Sequence, residues 1–242
     1  MNKFLNKFVF KNAVKFDKVF VISYINNFEK RKIISKKLHD LGIKFEFIYG
    51  SNLYDIPQFR TVKQLCTEEQ GSDYNMHNIS GSLAHLNAIE YAYNAGHNNV
   101  LIIEDDVLLY NNKDYILNCL NNYPKDADLI QYGWINFSCF KSDKPFTLTT
   151  YTANDGWTLD HYSPGAQMYA LCNRETMKDY IESQHQHYSS ADNIYIFKYD
   201  YENKYKKYRV FPQLAIDYEH EREIVDEFHY VDNFITEINN YS

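Results

Sequence analysis

Uncharged apolar runs alternate with charged stretches along most of this chain. Val19-Phe20-Val21-Ile22-Ser23-Tyr24 is the first such run and predicts a buried strand. Asn27 to Asp40 is charged, with Phe28, Ile33, Ile34, Lys37, Leu38 and Leu41 near helical spacing, and Gly42 stands where a helix would stop. Lys44 to Tyr49 alternates as a second strand and ends at Gly50-Ser51. Strand, helix and strand in that order form a βαβ unit, which joins parallel strands. Asn52 to Asn78 is polar and irregular, with Pro57 and Gly71; a loop this long is usually functional or mobile. A helix is predicted over Gly81 to Ala95, with Leu83, Leu86, Ala88, Ile89 and Ala92 inward, Ser80 or Ser82 as its cap, and Gly96 as its end.

Val100-Leu101-Ile102-Ile103 is short, β-branched and uncharged, the pattern of a strand buried on both faces. Beyond it the pattern predicts a short helix over Tyr115–Leu120, a strand over Asp128–Gly133 and two weak strands within Asn136–Asp160. A strand over Gln167–Leu171, a helix over Arg174–Gln184 and a late strand over Val210–Leu214 complete the set. There is no internal repeat and no interdomain linker. One α/β domain is expected over residues 19–218, between an N-terminal arm (1–18) and a charged tail (219–242).

Composition narrows the classes. Of 242 residues 45% are hydrophobic, which argues against disorder. The 23 Tyr and 16 Phe suit surfaces that stack on sugars or bases, although abundant Lys, Asn and Ile make most of them a matter of compositional bias. The net charge is −7 and no face is polybasic, so nucleic-acid binding is disfavoured. Cys66, Cys119, Cys139 and Cys172 show neither CxxC nor zinc spacing, which reads as a reduced compartment. No run is long and apolar enough to span a membrane, and Met1 to Lys18 lacks a signal peptide's apolar stretch; a cytoplasmic location is expected.

Three carboxylates, Glu104-Asp105-Asp106, follow directly on the Val100–Ile103 run. A buried strand delivers them to one edge of a sheet, where open α/β folds bind ligands. Like charges this close repel unless a cation sits among them. A divalent metal at the strand end, serving a phosphate-bearing substrate, is therefore expected. Strand alternation would turn Glu104 and Asp106 to one side and Asp105 to the other.

In order, these features resemble glycosyltransferase family 25, which includes lipooligosaccharide and collagen galactosyltransferases. Val21-Ile22-Ser23-Tyr24, Arg31 and Gly42-Ile43-Lys44-Phe45-Glu46 resemble its first strand, arginine-bearing helix and second strand. Ser80 to His85 resembles its helix start, and Val100 to Val107 its hydrophobic strand with Glu-Asp-Asp-Val. Tyr169-Ala170-Leu171, Arg174, Asp192 and Pro212-Gln213-Leu214 resemble its later landmarks. Ser23-Tyr24 replaces the family's Asn-Leu, Gly81 and Ala84 replace its Cys and Ser, and its late glutamine falls near Asp217.

The resemblance implies a GT-A type, Rossmann-like mixed sheet flanked by helices, and inverting transfer of a hexose from a UDP-sugar. Galactose comes first and glucose second, with a glycan or a hydroxylysine-type residue as acceptor. Mn²⁺ or Mg²⁺ is the expected cofactor, with Asp106 as direct ligand, Glu104 beside it and His220 as a candidate third ligand. Glu104 or Asp105 would touch the ribose or uracil. Ser23, Tyr24, Tyr49, Gly50 and Ser51 end the first two strands at the same edge, and Tyr24 is a candidate to stack on uracil. Arg31 is a candidate for the diphosphate, and His85 for the phosphate or for buttressing the metal loop. Asp192 stands as general base or as the N-cap of the residues after it. Trp134 and Trp157 are candidates for the acceptor sugar or for the core. A metal-dependent nucleotidyl- or phosphoryl-transferase would also need strand-end carboxylates, but neither a Gly-rich phosphate loop nor a nucleophilic Asp stands out. A non-catalytic carbohydrate-binding relic would keep the fold alone.

Overall fold

The computed structural model describes residues 12–50, 76–133, 157–159, 165–186, 191, 204–210 and 213–217. The elements among them are β1 (Lys18–Tyr24), α1 (Phe28–Asp40), β2 (Glu46–Gly50), α2 (Met76–Asn94), β3 (Val100–Glu104), β4 (Val107–Leu109) and α3 (Lys113–Asn121). They continue with β5 (Leu129–Gly133), β6 (Trp157–Leu159), β7 (Met168–Leu171), α4 (Arg174–Gln186), β8 (Lys207–Val210) and β9 (Ala215–Asp217). Seven strands form one mixed sheet in the order β2-β1-β3-β7-β5-β8-β6, and β4 pairs with β9 in a small second sheet.

The expected βαβ unit is present, with β1 parallel to both β2 and β3. β7 runs antiparallel between β3 and β5, and β8 is parallel to β5. The carboxyl ends of β1, β2, β3, β5 and β8 therefore share one edge with the start of β7.

Both faces of the central strands are covered, which is why Val100–Ile103 carries no polar alternation. Val19, Val21, Leu101 and Ile103 pack with Ile34 and Leu38 of α1 and with Ile116 and Leu120 of α3. Phe20, Ile22, Val100 and Ile102 pack with Ala84, Ala88 and Ile89 of α2 and with Met177 and Tyr180 of α4. Gly42 ends α1 as expected: its φ of 73° lets the Ile43 amide reach the Leu38 carbonyl at 2.8 Å. Asn112 caps α3 by accepting from the Tyr115 amide at 3.0 Å.

Several boundaries differ from the sequence expectation. α2 begins at Met76, so Ser80 and Ser82 lie inside the helix rather than capping it. Where a strand was expected over Val210–Leu214, β8 ends at Val210 and β9 begins at Ala215, and residues 211–212 lie outside the described residues. β4 was not predicted, because its pairing partner β9 lies far along the chain. The domain also starts before residue 19: Val14 and Phe16 are buried in the core, and Phe16 stacks on Tyr123 at 5.5 Å. No described helix is long and apolar enough to cross a membrane.

β9 crosses the end of β5. The Leu214 amide donates to the Tyr132 carbonyl at 2.7 Å, and a Cβ on Gly133 would lie 2.7 Å from the Ala215 carbonyl oxygen. Gly133→Ala should therefore cost about 1–3 kcal/mol in chemical denaturation, because backbone rather than a flexible side chain must give way. Unchanged stability would show that β9 can shift freely.

Candidate functional site

The edge at the ends of β1, β2 and β3 gathers most of the described candidates. β3 ends at Glu104, and the chain turns at Asp105-Asp106 before β4. Strand alternation therefore stops at the turn, and each carboxylate finds its own partner.

Glu104 lies on the α2 side. His85 of α2 is buried, with Nε2 3.2 Å from Glu104 Oε1 and Nδ1 2.9 Å from the Tyr169 hydroxyl. A carboxylate only accepts, so Nε2 carries the proton in this contact and the imidazole orients Glu104. His85 also stacks on the buried Tyr169, with ring centres 5.7 Å apart. His85 thus links Glu104 to Tyr169.

Asp105 turns the other way, under α1, and is buried. Its Oδ2 accepts from Ser23 Oγ at 2.5 Å and from Asn27 Nδ2 at 3.4 Å. Arg31 Nη1 donates to Ser23 Oγ at 3.3 Å and to the Tyr24 carbonyl, and Nη2 to the Ile25 carbonyl at 2.8 Å. Asp105, Ser23 and Arg31 thus form one chain of hydrogen bonds tying the ends of β1 and β3 to α1. Ser23 and Arg31, expected at the donor, make these contacts with each other, with Asp105 and with the backbone that follows β1. The Arg31 guanidinium also lies between the rings of Phe28 and Tyr49, at 4.7 and 5.3 Å.

Burial pushes the Asp105 carboxyl above its ordinary value of 3.8, against the lowering effect of the Ser23 and Asn27 hydrogen bonds and of Lys30. A raised carboxyl binds its proton more tightly folded than unfolded, so its ionisation removes stability as pH rises from 3.8 through the raised value. Asp105→Asn keeps an acceptor for Ser23 and has no charge to bury. The melting-temperature difference, variant minus wild type, should grow over that pH span and then level off; a flat difference would mean that Asp105 is not destabilised by its burial.

Asp106 faces Lys30 of α1, whose Nζ is 3.4 Å from Oδ2. Glu104 and Asp106 do not share one side by strand alternation, as the sequence suggested, since the turn hands Asp106 to α1. Both side chains remain about a third exposed, 31% and 32%. Among the described residues no three His, Cys, Asp or Glu side chains surround one point. Mg²⁺ and Mn²⁺ need only one or two protein carboxylates when phosphate oxygens complete the shell. Glu104 and Asp106 are hard oxygen donors that fit such a site; Asp105, bonded inward, does not.

Tyr24 lies over the start of α2. A Cβ on Gly50 would lie 3.1 Å from its ring, its hydroxyl hydrogen-bonds Ser80, and a Cβ on Gly81 would lie 3.9 Å from that hydroxyl. Burial first raises its pKa, against the lowering effect of the Ser80 hydrogen bond, and the charges of Glu104, Asp105 and Asp106 add to the rise. Tyr49 is exposed, as are Ile25 and Phe28. β9 returns to the same edge, where Asp217 pairs with Val107.

Asn27, Lys30 and Tyr169 were not singled out from the sequence. Nothing in a helix-start Asn-x-x-Lys marks a site until β3 is placed beside it. Ser51, Trp134, Asp192 and His220 lie outside the described residues, and Trp157 starts β6, opposite Val210.

A family model for glycosyltransferase family 25 (LPS biosynthesis protein) matches residues 16–176. Among solved structures, a glycosyltransferase involved in glycosylation of the major capsid of PBCV-1 is 10% identical, with a TM-score of 0.42 over 87% of this chain and 100% of that one. The glycosyltransferase GlyE of Streptococcus pneumoniae TIGR4 is 12% identical, with a TM-score of 0.42 over 90% of this chain and 52% of that one. Its apo form is also 12% identical, with a TM-score of 0.39 over 78% and 44%. This chain thus spans about half the length of the pneumococcal protein. No curated protein matches.

Proposed function

The chain belongs to glycosyltransferase family 25, and from that premise we propose that it is a metal-dependent inverting hexosyltransferase of GT-A type. Its donor is a UDP-sugar, UDP-galactose before UDP-glucose, and its acceptor a hydroxyl of a glycan or of a hydroxylysine-type residue. The observation that carries this reading is the division of labour in the triplet: Asp105 anchors the turn while Glu104 and Asp106 are presented at the shared strand edge.

Exposed Tyr49 and Phe28, with Arg31 between them, offer the nucleobase a platform beside the ends of β1 and β2. Glu104, oriented by His85, would accept from a ribose hydroxyl or join Asp106 in holding Mn²⁺ or Mg²⁺. His220 is retained as a third ligand, because the chain leaves β9 at Asp217, opposite Val107 and three residues before His220. Such a cation would neutralise charge on the departing diphosphate. Lys30, beside Asp106, places a second positive group within reach of the same oxygens.

For transfer, Asp192 takes the acceptor's hydroxyl proton as that oxygen bonds to the anomeric carbon. The bond from that carbon to the diphosphate breaks on the opposite face, which inverts the centre. Ala191, the residue before Asp192 in the sequence, is buried in the core between the sheet, α2 and α4.

Calorimetry with UDP and Mn²⁺, followed by hydrolysis of a UDP-sugar panel, tests the reading. UDP binding lost in EDTA and restored by Mn²⁺, with turnover of a UDP-hexose, is expected. Tight UDP binding unaffected by EDTA would transfer the cation's role to Lys30. Absence of UDP binding under any condition would end the proposal.

A further inference from the structure

The face of the sheet that packs on α2 and α4 changes character at β7. Reading across the strands in register, Ile102 is followed by Tyr169, Gln131 and Arg209. An apolar row thus becomes polar past the midline, and Gln167 sits on that side beside Glu104, accepting the Glu104 amide on its carbonyl at 2.9 Å.

Gln131 and Gln167 are sealed, at 0% and 2% exposure. Gln131 Nε2 donates to the Gly165 carbonyl at 2.8 Å, yet Gln131 Oε1 and Gln167 Oε1 have no hydrogen-bond partner among the described residues. Gly165 has a φ of 109°, and a side chain there would collide with the Gln167 amide. A left-handed glycine therefore leaves room for the Gln167 amide, in a corner with two unmet acceptors. Buried acceptors without donors cost stability, so such a corner is built for a partner. Amide oxygens accept only, which selects hydroxyl donors and disfavours phosphate or carboxylate.

We infer that Gln131 and Gln167 form the hydroxyl-reading corner for the hexose of the donor. This inference rests on the UDP-sugar reading and extends it to sugar selection. Its place fits the ligand's length: base by β2 and β1, diphosphate at the end of β3, sugar beyond β3 by β7 and β5. An internal water is the other source of the same donors, and only the sugar couples the corner to substrate hydroxyls.

The test compares wild type with Gln167→Met, which keeps the length and apolar stem but has no acceptor, using UDP-galactose, UDP-glucose and their monodeoxy analogues. In wild type, loss of the hydroxyl that is read should lower kcat/KM by about tenfold, a bidentate or single contact to a buried neutral group. In Gln167→Met the parent sugar should show that loss already, and the deoxy analogue no further loss, with UDP affinity unchanged. Multiplicative losses in the pair, or a lower melting temperature with unchanged kcat/KM, would assign the corner to an internal water and overturn the inference. A wild type that turns over no UDP-sugar sinks the donor reading instead. The corner is then judged by saturation transfer to free galactose and glucose, which Gln167→Met should abolish; signal equal to wild type overturns it.

Discussion

Asp106→Ala should lower kcat for UDP-sugar turnover by about three orders of magnitude or more, the scale of removing a group that stabilises charge developing in the transition state. Its melting temperature should stay within about 2 °C of wild type, because a part-exposed turn residue contributes little to stability. The side chain is part-exposed and its partner Lys30 is a surface lysine, so the lost ion pair is worth little. The contrast with Asp105 is the decisive control. Asp105→Asn removes a charge that lies one residue away, but one that faces Ser23 and Asn27 and is buried. If the two variants lose turnover equally with both folds intact, Asp106 has no privileged place. Wild-type turnover by Asp106→Ala at ordinary Mn²⁺ would remove it from the ligand set.

Asp192→Asn should lower kcat by about 10²–10⁴, the usual contribution of a positioned general base. UDP affinity should be unchanged, since the base faces the acceptor. The substitution also separates the two roles open to this residue, because Asn caps helices about as well as Asp. An N-cap would tolerate the change, with both turnover and melting temperature preserved. A base would not, because an amide cannot take the acceptor's proton. The pH profile adds a second readout: the acidic limb of kcat should disappear with the carboxylate.

The central strands were legible because burial on both faces leaves an unbroken apolar run. Val19–Tyr24 and Val100–Ile103 announce themselves and place the acidic triplet at a strand end. The stop at Gly42 was legible for the same local reason, a left-handed position that favours glycine. β4 and β9 were not, since three-residue strands derive their identity from each other across the chain. The donor roles given to Ser23 and Arg31 were read from their position at a strand end and helix start. Their partners, the Asp105 carboxylate and the Tyr24 and Ile25 carbonyls, appear only when the chain is folded.

The amino-acid order alone determined the family, the α/β class and the delivery of three carboxylates to one sheet edge, because periodicity and strand ends are local properties. Only the tertiary structure decided which carboxylate does what. Glu104, Asp105 and Asp106 are chemically near-equivalent in sequence, and their division among His85, Ser23 and Lys30 depends on helices α1 and α2 closing on the turn from opposite sides. A contact between residues distant in the chain has no local signature, so the same triplet holds a carboxylate paired with His85, a buried anchor and a part-exposed carboxylate paired with Lys30.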